Sequence, residues 1–310
     1  MKDMLKIGFM GSGVFAAECL RLLCEKIRPE WVITNTPKPA GRGLAPHATP
    51  VYAAASELGL VCHTTEKISK DADLLEWMKG NIPDLILVID FGHILKEPLL
   101  SMARLQCINI HPSMLPAYRG AAPIQRAIMD GLAQTGVTLF KLDTGMDSGP
   151  VLSQVSVDIE KSDDTASLLL KCAKAGTEEL LRYICDINSD EWVFTEQPEE
   201  GASLAPKIGK DEGKIDWNES SQRLYNMVRA LSVSPGTYCT VKLKRLRIYE
   251  VQPCDESGKA GTVISVSDGM PVIACGSGAL KLISVQPEGR KILNAAEWFR
   301  GSRLKIGDSL

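Results

Sequence analysis

No apolar run in this 310-residue chain is long enough to cross a bilayer, which excludes a spanning helix. Lys6, Glu18 and Arg21 break up the only early candidate, and Met4–Met10 reads as a first strand leading into a helix rather than as a secretory signal. Zinc-ligand spacing is absent too. The nine cysteines, at 19, 24, 62, 107, 172, 185, 239, 254 and 275, are odd in number, scattered, and contain no Cys-x-x-Cys pair. They read as buried free thiols of a reducing cytoplasm. The four histidines, at 47, 63, 93 and 111, form no local metal motif, so no metal is expected. There is no internal repeat and no low-complexity tract, so the chain is not a repeat array.

What is present is an ordinary globular composition, 45% hydrophobic and 24% charged. At this length two domains are the natural expectation. The net charge of −3 conceals an asymmetry: residues 1–205 hold 19 Lys and Arg against 27 Asp and Glu, and residues 206–310 hold 16 against 11. An acidic front and a basic back suggest that the second part meets something anionic; chance clustering of solvated side chains is the alternative.

Short apolar runs at Met4–Met10, Trp31–Thr36, Leu60–His63, Asp84–Ile89 and Gln106–Ile110 alternate with helical patterns near 15–27, 50–58, 71–79 and 96–102. Alternation of this kind predicts an α/β domain, a Rossmann-like parallel sheet with helices on both faces. A helix near 121–130, strands at Val137–Leu142 and Val151–Val157, and a long amphipathic helix over Thr165–Cys185 complete it. Residues 187–217 are rich in Asp, Glu, Gly and Pro and lack a period. Beyond them, alternating segments around 238–243, 245–251, 261–267, 271–275 and 280–285 predict a smaller, OB-like β-barrel. The expected domains are 1–187 and 207–310, with a linker over 188–206. The chain starts directly at the first strand with no transit segment, and a cytoplasmic location is expected.

Gly11-Ser12-Gly13-Val14-Phe15-Ala16 has the G-x-G-x-x-A form, but the next strand ends Thr34-Asn35-Thr36-Pro37 without the acidic residue that would hold a ribose. A tight strand-to-helix turn is the better reading than a dinucleotide site. Pro37–Pro50 is a long connection in which Arg42, between two glycines, could approach a phosphate or could simply be an exposed arginine. Asn109 and His111 end a predicted strand, where open α/β sheets place ligands, and their spacing puts both side chains on one side of the sheet. Asp147 follows in the Gly-rich stretch Gly145-Met146-Asp147-Ser148-Gly149-Pro150. An amide, an imidazole and a carboxylate together can polarise a carbonyl, hold an oxyanion and move a proton.

Asn109-Ile110-His111-Pro112-Ser113-Met114-Leu115-Pro116-Ala117-Tyr118-Arg119-Gly120 resembles the signature of the folate-dependent formyltransferases, and Thr135-Gly136-Val137-Thr138 leading to Asp147…Pro150 is similar to their second motif. Arg119–Arg126, Pro39-Ala40-Gly41-Arg42-Gly43, Lys207-Ile208…Ile215-Asp216-Trp217 and Trp298–Leu304 resemble the members of that family that act on methionyl-tRNA. The resemblance spans both domains. It implies transfer of the formyl group of 10-formyltetrahydrofolate to the α-amine of methionine on initiator tRNA, in support of translation initiation, with no metal, no membrane and no obligate protein partner. It implies Asn109, His111 and Asp147 as the catalytic set. Asn109 and a protonated His111 would be oxyanion donors, while Asp147 would hold the imidazolium and relay the proton. Ser113, Met114, Leu115 and Pro116, with Ile89, Phe91, Gly92, Ile94 and Asp143, would form the folate pocket. Arg42, Lys207, Lys210, Lys244 and Arg245, with Lys242 and Arg247, would contact tRNA phosphates. Three departures stand out from the family pattern: Leu44-Ala45-Pro46-His47 where lysine is usual, Asp90 before Phe91-Gly92 where a small residue is usual, and Gly11-Ser12-Gly13 in place of Gly-Thr-Pro. A formyltransferase acting on a sugar nucleotide or small amine, a formylfolate hydrolase and a non-catalytic nucleic-acid-binding module remain open at this stage.

Overall fold

A computed structural model describes residues 5–39, 46–185 and 192–310. The chain divides into two compact units. The first comprises residues up to Gly120, Gln134–Asp158 and Leu169–Ala205, and the second Ala121–Ala133, Ile159–Leu168 and Pro206–Leu310.

The first unit is built on a seven-stranded sheet. Its strands are β1 (Ile7–Gly11), β2 (Trp31–Asn35), β3 (Cys62–Thr65), β4 (Leu85–Ile89), β5 (Gln106–His111), β6 (Gln134–Lys141) and β7 (Val151–Asp158), in the order β3-β2-β1-β4-β5-β6-β7. β1 and β4 are buried at every residue, as strands covered on both faces must be. Helices α1 (Val14–Cys24), α2 (Pro50–Glu57) and α3 (Ala72–Lys79) connect the first four strands, and the first five strands are all parallel. The expected parallel sheet therefore holds for five strands, whereas β6 and β7 run antiparallel to their neighbours. Parallel neighbours need a crossover that packs on the sheet. Here residues 121–133, including α4 (Pro123–Met129), belong to the second unit, and the chain re-enters the sheet in the opposite direction.

The helix expected near 96–102 is absent. Two successive turns, closed by Leu99 N–H to the Lys96 carbonyl and Met102 N–H to the Leu99 carbonyl, take its place. Pro98 disfavours the α conformation at Glu97 and has no N–H to contribute to a helix. α5 (Thr165–Cys185) spans the residues expected. Gly176 lets it approach the sheet closely, because a Cβ there would lie 2.6 Å from Ile110 and 2.7 Å from Val137. Residues 192–205, expected as a linker, lie in the first unit: Thr195 exchanges two backbone hydrogen bonds with Val151, and Ala205 N–H donates to the Arg119 carbonyl.

The second unit holds an antiparallel sheet of β8 (Thr237–Val241), β9 (Lys244–Cys254), β10 (Val263–Ser267), β11 (Met270–Ala274), β12 (Ala279–Pro287) and the short β13 (Leu293–Asn294). The order is β8-β9-β12-β11-β10, with β13 on β12. The five expected strands are all present. α6 (Ser221–Ala230) and α7 (Ala295–Ser302) were not foreseen. Gln222, Arg223, Asn226 and Arg229 share the face of α6 opposite Leu224 and Val228, which pack into the same core as Ile248, Val251, Leu280 and Leu282. No helix of the described residues is long and apolar enough to cross a membrane.

Candidate active site

The strand order places β1 between β2 and β4, so connections leave its C-terminal end in opposite directions and open a crevice there. The end of β5 lies one strand beyond. Extended backbone puts Asn109 and His111 on one side of β5, and their partners across the sheet are Phe140 and Thr138. His111 is 5% exposed, its ring edge-on to Phe140 at 6.4 Å between centroids. Its Nε2 lies 3.0 Å from the Tyr118 carbonyl oxygen. A carbonyl can only accept, so Nε2 carries the hydrogen and Nδ1 is left to face Asp147 Oδ2, 3.7 Å away. Asn109 is half-buried, and its amide has no hydrogen-bond partner among the described residues.

Asp147 reaches this position on a tightly folded loop. It adopts a left-handed conformation, φ +53°, which a short polar side chain tolerates. Its Oδ2 accepts the Gly120 N–H at 2.8 Å. Gly149 is required for the loop's return, since a Cβ there would sit 1.9 Å from the Lys141 carbonyl oxygen. Gln197 Nε2 donates to the carbonyls of Asp147 and Gly149 at 2.9 and 2.7 Å, and Arg119 in turn donates to Gln197 Oε1 at 3.1 and 2.7 Å. Sequence reasoning missed Gln197, which lies in an aperiodic stretch with no local signal. Arg119 was part of a quoted motif, but its task of holding Gln197 is visible only in three dimensions.

The residues expected to line a folate pocket fall into two groups. Ser113 and Leu115 are buried and hold the loop after β5. Ser113 Oγ donates to the Ala117 carbonyl at 2.6 Å. Thr138 Oγ1 donates to the Ser113 carbonyl at 2.7 Å and accepts from Leu115 N–H and Gln154 Nε2, both at 3.0 Å. Met114 and Pro116 are half-buried, Met114 filling the space beside Gly136 that a Cβ would otherwise occupy. Asp143 folds its own loop, accepting from Gly145 N–H at 2.9 Å and from Ser148 Oγ at 3.0 Å.

The second group surrounds the crevice. Ser12 and Gly13 N–H donate to the Asp90 carbonyl at 3.1 and 3.3 Å, and Asn35 Nδ2 donates to the Phe91 carbonyl at 3.0 Å. The Gly11–Gly13 turn is thus a strand-to-helix connection bonded to the loop after β4. Ile89 and Phe91 are buried, Phe91 stacks on His93 at 4.7 Å, Gly92 has φ +74° and Ile94 is 73% exposed. Asp90 is open to solvent at the crevice, but protein surrounds it on most sides, and this desolvation pushes its carboxyl up to about 6.

Residues 10–184 match the family model described as "Formyl transferase", and residues 207–303 match "Formyl transferase, C-terminal domain". A methionyl-tRNA formyltransferase of Kosmotoga olearia is 34% identical over 310 residues, covering 99% of each chain. The chain belongs to the methionyl-tRNA formyltransferase family. Other bacterial relatives at 34–37% identity carry the same name.

Two solved structures show how this family's fold is shared. An N-formyltransferase from Helicobacter canadensis, solved with folinic acid and dTDP-3-aminofucose, superposes with a TM-score of 0.66 at 18% identity, over 92% of this chain and all of that one (100%). HypX from Aquifex aeolicus gives 0.68 at 19% identity over 98% of this formyltransferase chain, which spans about half (49%) of the longer HypX chain. At such identities the likeness speaks for the fold alone.

In the second unit of this formyltransferase, Lys207, Lys210, Lys242, Lys244, Arg245 and Arg247 are all exposed. The last four lie on the β8–β9 hairpin, whose tip residues Lys242 and Leu243 have φ +48° and +67°, the left-handed pair of a two-residue turn. Arg245 lies over the Tyr238 ring at 3.8 Å, Lys242 Nζ donates to the Ser302 carbonyl at 3.0 Å, and Arg247 donates to the Pro235 carbonyl at 3.1 Å. Arg42 lies outside the described residues. Among the described residues there is no group of three or more His, Cys, Asp or Glu able to hold a metal ion.

Two predictions follow from this geometry. Thr138→Val leaves the Leu115 N–H and the Ser113 carbonyl without their buried partner and should cost about 1–3 kcal/mol in chemical denaturation. An unchanged midpoint would show that the hydroxyl is not a hub. Asp90, raised from 3.8 to about 6, binds more protons folded than unfolded between those values. Stability should therefore fall as pH rises through that window, and Asp90→Asn should fall less; urea unfolding at pH 4.5 and pH 7 measures the difference.

Proposed function

We propose that this chain transfers the formyl group of 10-formyltetrahydrofolate to the α-amine of methionine on initiator tRNA, in the cytoplasm. Residues 1–187, with the stretch 192–205 that lies in the same unit, would form the catalytic domain, and residues 207–310 the tRNA-binding domain. The observation that carries this reading is an Asn109 amide unpartnered among the described residues, beside a His111–Asp147 pair at the end of β5, in a chain similar from end to end to methionyl-tRNA formyltransferases.

The residues present fit a formylfolate donor. The Asn109 amide, without a hydrogen-bond partner among the described residues, could donate to a formyl oxygen, and the strand order reverses one strand away, where open α/β sheets place ligands. The bound donor supplies an activated formyl carbon. The protein must then steady negative charge on the formyl oxygen and take a proton from the attacking amine. Asn109 Nδ2 serves the first need. Asp147 serves the second through Oδ1, because Oδ2 is engaged by Gly120 N–H and faces the imidazole. His111 holds its Nε2–H against the Tyr118 carbonyl and turns its other ring nitrogen towards Asp147 Oδ2. On this reading His111 would act through the carboxylate rather than as the second oxyanion donor that the motif resemblance implies.

The second unit supports the acceptor half of the reading. Lysines and arginines concentrated on one hairpin, with an arginine stacked on a tyrosine, suit a phosphate backbone. Six exposed cations on a domain of net positive charge would be poorly used by a small amine or a sugar.

Formyl transfer to methionyl-tRNA, run with initiator and elongator forms and with sugar-nucleotide and small amines as competitors, tests the whole reading. Asn109→Ala, His111→Ala and Asp147→Ala should each lower single-turnover rates by about 10²–10⁴ while staying folded at the assay temperature, with Asp147→Ala less stable because the Gly120 N–H loses its acceptor. Wild-type rates in His111→Ala or Asp147→Ala would remove the pair from catalysis. Affinity for tRNA should fall steeply with salt, and Lys244→Ala or Arg245→Ala should each flatten a log–log salt plot by about one unit. A salt-independent affinity would argue against the hairpin as the phosphate contact.

A further inference from the structure

The β8–β9 hairpin closes on two residues, Lys242 and Leu243, between the paired Val241 and Lys244. Their φ values of +48° and +67° lie in the left-handed region that a turn of this length demands and that Asn-Gly or Asp-Gly supplies at little cost. Leucine has no polar side-chain group to support that conformation, and its Cβ opposes it. The side chain recovers nothing in exchange: Leu243 is 97% exposed, the most exposed large apolar residue among those described. Strained in its backbone and bare in its side chain, it does nothing for this fold.

The tip is nonetheless held in place. Lys242 Nζ donates to the Ser302 carbonyl at 3.0 Å, at the end of α7. At the first turn of β9, Arg245 N–H donates to Glu288 Oε2 at 3.2 Å, and Glu288 N–H donates to the Arg245 carbonyl at 3.0 Å. Leu243 is therefore presented on a fixed support, and such pre-organisation lowers the cost of binding. Its surroundings say what it is presented to. Lys242, Lys244, Arg245 and Arg247 are exposed on the same hairpin, and residues 206–310 carry 16 Lys and Arg against 11 Asp and Glu. A second copy of this hairpin would bring like charges together. One leucine buries too little area to hold the chain on a lipid surface. In RNA, sugar and base faces that accept an apolar side chain lie directly inside the line of phosphates, and a leucine among cations matches that alternation.

We propose that Leu243 is an apolar contact to RNA, packing on a ribose or base face of the acceptor tRNA while the cations of the hairpin meet its phosphates. The assignment rests on the acceptor reading above and adds to it a part of the affinity that does not depend on charge. The same residue lowers the stability of the free hairpin.

The test measures initiator tRNA binding and thermal unfolding of the full-length parent, Leu243→Asn and Leu243→Met. Asparagine has nearly the volume of leucine and tolerates the left-handed region, so Leu243→Asn should raise Tm by about 2–4 °C. It should nevertheless weaken tRNA binding about tenfold, the loss of one buried apolar contact. The slope of a log–log salt plot should stay as in the parent, because no charge is removed. Leu243→Met keeps the apolar surface and should bind within about twofold of the parent. Equal tRNA affinity in the parent and Leu243→Asn would overturn the proposal. So would a loss of affinity with a shallower salt slope, since Leu243 would then only shape the phosphate contacts. Binding of the parent but not Leu243→Asn to phosphatidylglycerol vesicles, with equal tRNA affinity, would assign the tip to a lipid surface instead. If the parent binds tRNA and ignores position 243, only the role of Leu243 falls. If the parent does not bind tRNA at all, the acceptor reading falls with it.

Discussion

The hydrogen bond from the Gly120 amide to Asp147 Oδ2, 2.8 Å long, joins the loop that follows β5 to the loop that follows β6. Neither loop is regular structure, and each carries part of the chemistry. The first supplies the Tyr118 carbonyl that orients His111; the second presents Asp147 in a conformation that its own backbone does not favour. With the amide bound to Oδ2, that oxygen is fixed beside the imidazole, which under the proposed function leaves Oδ1 for the reaction. The surrounding contacts serve this junction. Ala205 approaches Gly120 so closely that a Cβ there would lie 2.9 Å from its carbonyl oxygen, and Gln197, held by Arg119, fixes the two carbonyls on either side of Ser148.

This arrangement separates tasks by strand. Under the proposed function, β5 would carry the polarising amide and the imidazole, the loop after β6 the base, and the ends of β1 and β4 the crevice for the donor. A rigid sheet sets the lateral spacing, so the loops need only be correct locally. Thr138 illustrates how this is achieved. It sits opposite His111 in the sheet, and its single hydroxyl satisfies a donor and an acceptor from the Ser113–Leu115 loop. Core packing and site geometry are here the same contacts.

Much of this was legible from the chain itself. The period-two spacing of Asn109 and His111, the glycines around Asp147 and the alternation of strands and helices are local properties, and the seven strands of the first unit emerged within a few residues of where they were expected. The misses have physical causes. The stretch at 96–102 has helical composition, but Pro98 bars the helix. α6 is only ten residues long and follows an aperiodic stretch, so its stripe of Leu224, Tyr225, Met227 and Val228 does not stand out; it packs into a core that other segments supply. Residues 192–205 have no pattern at all, and are ordered by pairing with Val151 and Arg119, about forty and eighty positions earlier in the chain.

What the sequence alone determined was the kind of chemistry: an amide, an imidazole and a carboxylate in motifs whose residue types survive any detail of packing. Only the tertiary structure decided how these groups are used. His111 turns one nitrogen to a carbonyl seven residues away and the other to a carboxylate thirty-six residues away, and the Asp90 carboxylate lies beside Gly13, in the turn after β1. Tautomer, free acceptor and available space depend on atoms brought together across the sheet, and no local spacing encodes them.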